Sequence, residues 1–294
     1  MASVLDFVGN TPLVEIRHVI QKPGVTVYAK LEGHNPGGSV KDRAALGMIQ
    51  GALERGDIKA GTRLVEATSG NTGIALAMIA RLYGLDITLI MPDNSTLERV
   101  QTMRAFGAEV ILTPAEAGGI EHSREFAEDL VAKGGYYMLN QFANDDNWGM
   151  HYRTTGPEIW RDTDGKITHF VSSMGTTGTI MGVSRYLKEQ NSKVEIVGVQ
   201  PVEGDNIPGI RRWSPEYLPK IFDPLRVDRT IEVSSDEATQ MMLRLAKEDA
   251  IFGGISSGGS IAAAAKLLKT LDSGVIVCII CDRGDRYLSS GVFG

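Results

Sequence analysis

The sequence predicts an α/β fold of two α/β domains, each a mainly parallel, twisted sheet covered by helices. Three observations lead there. Strand-like and helix-like segments alternate along almost the whole chain. Strand segments such as DITLIMP and VEIVGVQP are apolar and β-branched, as in parallel sheets buried on both faces. The 294 residues hold more such units than one six-stranded sheet usually takes.

Taken in order, VTVYAKLE (25–32) reads as a strand. NPGG (35–38) is turn chemistry, after which Ser39 and Asp42 fit a capping box for a helix over 41–56, closed by Gly56. RLVEAT (63–68) is a strand, NTGIALAMIARLYG (71–84) an apolar helix ending at Gly84, and DITLIMP (86–92) a strand. Ser95 and Glu98 suggest a second capping box, opening a helix that stops at Gly107. EVILTP (109–114) follows, then a helix near 119–133. ITHFVSSM (167–174) and VEIVGVQP (194–201) flank a helix near 178–190. After a Pro-rich connection (202–229) come IEV, helices from Ser235 and from about Ser257, and the strand VIVCII.

The bulk numbers exclude several classes. A net charge of −6 without basic clusters argues against nucleic acid. No apolar run reaches the length of a membrane span, and MASVLDFVGNTP shows no leader pattern, so a cytoplasmic location is expected. The two cysteines, Cys278 and Cys281, lie three apart on a strand pattern and so face opposite ways. They are also too few for a cysteine-only zinc site, so no metal is expected.

Three loops rich in Gly, Ser and Thr sit at strand-to-helix turns, where free backbone N–H groups and the helix dipole suit anions. EATSGNTG (66–73) offers Thr68, Ser69, Asn71 and Thr72 around Gly70, sized for a small carboxylate; simple helix capping is the competing reading. SMGTTGT (173–179) has neither P-loop nor dinucleotide-fingerprint spacing, and suits a phosphate monoester. In GGISSGGS (253–260), Ser256 or Ser257 would cap the next helix, with one hydroxyl free to face a cleft.

Lys41 stands in the first turn of its helix, where the dipole disfavours a cation by about 0.3–1 kcal/mol. A destabilised ammonium populates the free amine, the species that condenses with carbonyls. A phosphate-sized loop, a carboxylate-sized loop and an activated lysine together suggest pyridoxal 5′-phosphate acting on an amino acid.

The motifs GNTPLV (9–14), NPGGSVKDR, EATSGNTG, GTTGT, GISSGG and GDRYLS resemble the cysteine synthase (O-acetylserine sulfhydrylase) family, among the fold-type II, tryptophan-synthase-β-like pyridoxal-phosphate enzymes. The resemblance implies that Lys41 carries the cofactor and moves the proton at the substrate α-carbon. Asn71 would bond the ring hydroxyl, Gly175, Thr176, Thr177, Gly178 and Thr179 the phosphate, and Ser256 the pyridine nitrogen. Thr68, Ser69, Gly70, Thr72 and Gln141 would bind the substrate carboxylate. A neutral serine at the ring nitrogen weakens the electron sink, which suits β-elimination to an aminoacrylate and sulfur addition. The resemblance further implies a small mobile substrate-binding domain (43–147), a large cofactor-binding domain (1–42 and 148–294) and a homodimer.

IPGIRRW (207–213) and CDRGDRYLS resemble the B-type branch, whose members accept thiosulfate as well as sulfide. Arg211, Arg212 and Cys281 are then candidates for binding the donor; a solvated arginine pair and a small buried cysteine are the alternatives. Other readings are an A-type enzyme, an O-phosphoserine sulfhydrylase, a cystathionine β-synthase, a serine/threonine dehydratase, or an inactive cofactor-binding regulator.

Overall fold

The computed structural model describes residues 1–68 and 70–294. In chain order the elements are β1 (Leu13–Glu15), β2 (Val25–Leu31), α1 (Lys41–Arg55), β3 (Arg63–Ala67), α2 (Asn71–Leu82), β4 (Asp86–Pro92), α3 (Leu97–Ala105) and β5 (Glu109–Thr113). Then come α4 (Ile120–Ala132), β6 (Tyr137–Met138), α5 (Asp145–Arg153), α6 (Thr155–Asp162), β7 (His169–Ser173), α7 (Gly178–Gln190) and β8 (Glu195–Pro201). The last elements are β9 (Arg229–Val233), α8 (Ser235–Asp249), α9 (Ile255–Leu268) and β10 (Gly274–Ile280).

The strands make two sheets. One has six strands in the order β1-β2-β10-β7-β8-β9, the other four in the order β5-β4-β3-β6. Every pairing is parallel except β1 with β2. The alternation of strand and helix forces this, since a parallel neighbour needs a helical crossover. The six-stranded sheet is covered on both faces. Ala29, Cys278 and Ile276 pack into one apolar cluster with α9, while Val277, Ile279 and Phe170 pack into another with α7. Adjacent strand residues thus serve opposite layers. Around the four-stranded sheet, α1 and α2 supply a core of Ile49, Leu76 and Ile79 against Leu64 and Leu89.

Two capping expectations fail. The α1 N-cap is Val40, already helical at φ −57 and ψ −21, and it makes no side-chain cap. The Asp42 carboxylate turns instead to the Gly37 N–H at 2.5 Å, drawn by the NPGG turn folding back on it, while Ser39 Oγ accepts the Lys41 N–H at 3.2 Å. At α3 the N-cap is Thr96, not Ser95, and Glu98 accepts from the Ser289 hydroxyl at 2.9 Å. Asp42 thus bonds the turn just before its helix, and Glu98 a residue far along the chain. The closing residue Gly56 does adopt the left-handed conformation, at φ +76.

A buried ion network fastens the N-terminal segment to the large sheet. Arg43, fully buried in α1, bonds Glu32 (2.7 Å) and both oxygens of Glu158 (2.7 Å each). Lys30 of β2 reaches Glu158 at 2.8 Å and the Thr11 carbonyl at 2.7 Å. The Asn10 N–H donates to Glu158 at 2.9 Å, and Thr11 Oγ1 to Glu32 at 2.7 Å. Gly9 lies so close that a Cβ there would sit 2.8 Å from the Arg43 guanidinium. The GNTP stretch is therefore a clasp over Arg43, and the network sets the position of α1 and of Lys41 at its head.

Candidate active site

The chemistry-bearing loops gather at the carboxyl ends of parallel strands, where open α/β sheets bind ligands. Thr68 follows β3, Met174 and Gly175 follow β7, and Cys281 and Asp282 follow β10. Backbone bonds lock them together: the Val40 N–H donates to the Cys281 carbonyl (2.8 Å), and the Cys281 N–H to Ser257 Oγ (3.0 Å).

Lys41 is placed at the first residue of α1, as its sequence position requires. Among the described residues its Nζ has no hydrogen bond or ion pair. Burial holds its ammonium below the ordinary lysine range, against the opposing attraction of Cys281 and Asp282. The shift favours the neutral amine, the form that condenses with carbonyls.

The loop 175–179 leads into α7 without a side-chain cap, so its N–H groups stay available. Thr177 takes φ +71, the left-handed region, which is rare for a β-branched residue. Its buried Oγ1 has no partner among the described residues. A Cβ on Gly175 would sit 2.9 Å from the Gly209 carbonyl oxygen, and one on Gly178 would collide with the Asn147 amide. Asn147 Nδ2 donates to Thr176 Oγ1 at 3.2 Å, and His151 Nε2 lies 3.3 Å from Thr179 Oγ1. Burial holds His151 down to about 3, so it backs Thr179 as a neutral ring.

Asn71 opens α2, donating to Asp282 Oδ2 at 2.7 Å and accepting from Arg286. Tyr287 donates to the same Asp282 oxygen at 2.8 Å. The N-cap of α9 is Gly254, with no side-chain cap, so neither Ser256 nor Ser257 caps this helix. The helix begins two or three residues earlier than its serines suggest. Ser256 is only 3% exposed and lies behind Gly209, whose Cβ would stand 3.4 Å from it.

Thr68, Gly70 and Thr72 ring the mouth of α2, whose N-cap is Gly70 and has no side-chain cap. Ser69 lies outside the described residues. Thr72 donates to Gln141 Oε1 at 2.8 Å, so Gln141 joins this loop from a distant segment. Arg211 lines a cavity of about 290 Å³ with Met174, Thr177 and Trp213, and Trp213 donates to the Gly175 carbonyl at 2.9 Å. Arg212 is not brought there: it pairs with Glu232 on the edge strand at 2.5 Å. Cys281 sits beside Lys41 and Ser256, and burial pushes its thiol up to about 11, so it is no thiolate at neutral pH.

These features fit a phosphate-bearing aldehyde. A cradle of glycines too tight for a Cβ, an orphaned buried hydroxyl and a helix N-terminus would suit the phosphate, and the half-buried Lys41 the carbonyl. Residues 4–282 match the family of pyridoxal-phosphate dependent enzymes. The chain belongs to that family. Among relatives of the pyridoxal-phosphate family, Cysteine synthase B of Pseudomonas aeruginosa is 60% identical, covering 99% of this chain and 97% of its own. Cysteine synthase B of Escherichia coli is 55% identical, covering 100% and 97%. Among solved structures, Cysteine Synthase (OASS) from Entamoeba histolytica superposes with a TM-score of 0.94 at 36% identity, covering 100% of this chain and 90% of that one.

Several residues that meet these loops escaped the sequence reading. Asn147 and His151 lie on α5, which carries no Gly-rich signal, and they reach the loops only through the fold. Asp282 stands beside the quoted GDRYLS motif, and a charge directly after a buried strand was its available signal.

Proposed function

We infer that the protein makes L-cysteine by pyridoxal-phosphate-dependent β-replacement, from O-acetyl-L-serine and sulfide, and S-sulfocysteine when thiosulfate is the donor. The observation that carries this reading is the half-buried amine of Lys41, without a hydrogen bond or ion pair among the described residues, amid loops suited to phosphate, to a carboxylate and to a neutral ring-nitrogen partner. When bound, the cofactor supplies an electron sink conjugated to the substrate α-carbon.

The chain's own residues do the rest. The Lys41 amine takes the proton from the α-carbon; acetate leaves the β-carbon with its electron pair. A sulfur nucleophile then bonds the β-carbon, and Lys41 returns the proton to the α-carbon. Gly175, Thr176, Thr177, Gly178 and Thr179 hold the phosphate, and Asn71 the ring hydroxyl. Ser256 offers the ring nitrogen a neutral hydroxyl, which favours elimination over transamination. Thr68, Gly70, Thr72 and Gln141 bind the substrate carboxylate, with Ser69 assigned the same role from sequence. Trp213, which lines the cavity with Arg211, meets Phe142 edge to face with ring centroids 5.6 Å apart.

We propose residues 43–147 as the mobile substrate-binding domain and 1–42 with 148–294 as the cofactor-binding one. The grouping of β3 to β6 in one sheet and the remaining strands in the other supports this division. The reading includes a cytoplasmic homodimer. No helix among the described residues is long and apolar enough to cross a membrane.

Of the two donor-site arginines, Arg211 is the better placed, since Glu232 holds Arg212. Steady-state kinetics with each donor test this. In Arg211→Ala, kcat/KM for thiosulfate should fall about tenfold, a loss of about 1.4 kcal/mol, with the sulfide value little changed. Arg212→Ala should alter neither. Equal losses for both donors in Arg211→Ala would remove it from the donor site.

A further inference from the structure

We propose that Glu66 is a positioning residue for the substrate-carboxylate subsite: its two carboxylate oxygens hold the turn that presents Gln141 to Thr72. The proposal rests on the assignment of Thr72 and Gln141 to the substrate carboxylate.

The need for such a residue follows from the strand pairing. β6 pairs with β3 over two residues only, Leu64 with Tyr137 and Val65 with Met138. The ladder then stops, and the N–H groups of the following turn must find other acceptors. Glu66, 3% exposed near the end of β3, supplies them. Its Oε2 accepts the Asn140 N–H at 3.0 Å and its Oε1 the Gln141 N–H at 3.4 Å. Asn140 is turned into the left-handed region at φ +54, so the chain bends sharply there. The bend brings Gln141, 5% exposed, to the Thr72 hydroxyl. From the same residue, the Gln141 carbonyl accepts Asn147 Nδ2 at 2.8 Å, and that amide also donates to Thr176. One turn thus serves both the carboxylate loop and the phosphate loop, and Glu66 is the side chain holding its shape.

A carboxylate is expensive in this position. Burial raises Glu66 to about 7, although the two N–H groups and Arg124 pull the other way. Arg124 and Glu128 of α4 are the charged groups lining the small cavity beside it. Few neutral side chains offer two adjacent acceptors, and two are what the turn requires.

The test uses cofactor-loaded enzyme with O-acetylserine and sulfide, and the variants Glu66→Gln, Glu66→Ala, Gln141→Ala and Glu66→Ala/Gln141→Ala. Glu66→Ala should raise KM for O-acetylserine about tenfold, with kcat within about twofold and KM for sulfide unchanged. Glu66→Gln keeps one acceptor and should raise it about threefold. The double variant should be no worse than Gln141→Ala alone, because Glu66 acts through Gln141. If Gln141→Ala raises KM and the Glu66 variants do not, the proposal is overturned while the subsite assignment stands. Multiplying effects in the double variant also overturn it, as does a parallel loss of kcat and of both KM values with falling Tm. If Gln141→Ala leaves KM unchanged, the subsite assignment fails and the proposal with it. Should Glu66→Ala not fold, the isosteric Glu66→Gln decides alone.

Discussion

At the scale of single residues, Lys41 and Thr177 show strain kept where a ligand is to bind. Lys41 was legible because its position contradicts helix electrostatics, and a contradiction beside a Gly-rich turn is a signal. Thr177 was legible only as a member of a Gly/Thr loop; its left-handed backbone is visible only in three dimensions. That conformation costs about 1–3 kcal/mol, partly offset on replacement by the backbone entropy glycine loses, about 0.5–1 kcal/mol. Thr177→Gly should therefore stabilise the cofactor-free protein by about 1 kcal/mol in urea unfolding, and weaken pyridoxal phosphate binding about tenfold by removing a donor hydroxyl. A loss of both stability and affinity would show the conformation to be unstrained. The serines at 39, 95 and 256–257 carry the opposite lesson. Each fits a cap locally, yet none is the N-cap of its helix: Asp42 turns back to Gly37, Glu98 bonds Ser289, and Ser257 bonds the Cys281 N–H.

At the scale of elements, the long periodic strands and helices could be read directly, whereas β1, β6, α5 and α6 could not. β1 and β6 have three and two residues, too short for a period to show. α5 and α6 are short and adjoin at Thr154, so no turn chemistry separates them. What places α6 is the Arg43–Glu158–Lys30 network, which joins it to α1 and β2 and cannot be seen in sequence. Burial opposes the ionised Glu158 carboxylate, but its bonds to Arg43 outweigh this and hold it at about 2. Glu158→Gln leaves two buried cations under-compensated and should cost about 3 kcal/mol of unfolding free energy in denaturant titration. Glu248→Gln, which breaks the exposed pair with Arg244, is the control and should be silent. Equal effects in the two would mean that the buried network does not organise the fold.

At the scale of the whole molecule, opposing titrations shape acid stability. Burial raises Asp42 and Glu66 to about 7 from ordinary values of 3.8 and 4.5. The folded cofactor-free protein binds those protons first, so stability from these groups grows as pH falls from 7 to about 4.5. Burial lowers His151 to about 3 and lowers His169 as well, from 6.5, so the unfolded chain binds those protons first and stability is lost over the same interval. Two gains meet two losses, and Tm should be nearly flat between pH 7 and about 4.5. Below that the carboxylate gain is complete, while His151 and the lowered Glu32 and Glu158 continue to lose, so Tm should fall steeply. A steep fall already complete by pH 6, followed by calorimetry, would contradict this balance. All of these groups serve a molecule whose central feature is the lysine at the head of α1. The most direct test is cysteine formation from O-acetylserine and sulfide by cofactor-loaded wild type and Lys41→Ala, with folding matched by circular dichroism. The expected result is turnover in the wild type and a loss of at least about 10³-fold in the variant; normal cysteine formation by Lys41→Ala would contradict the account.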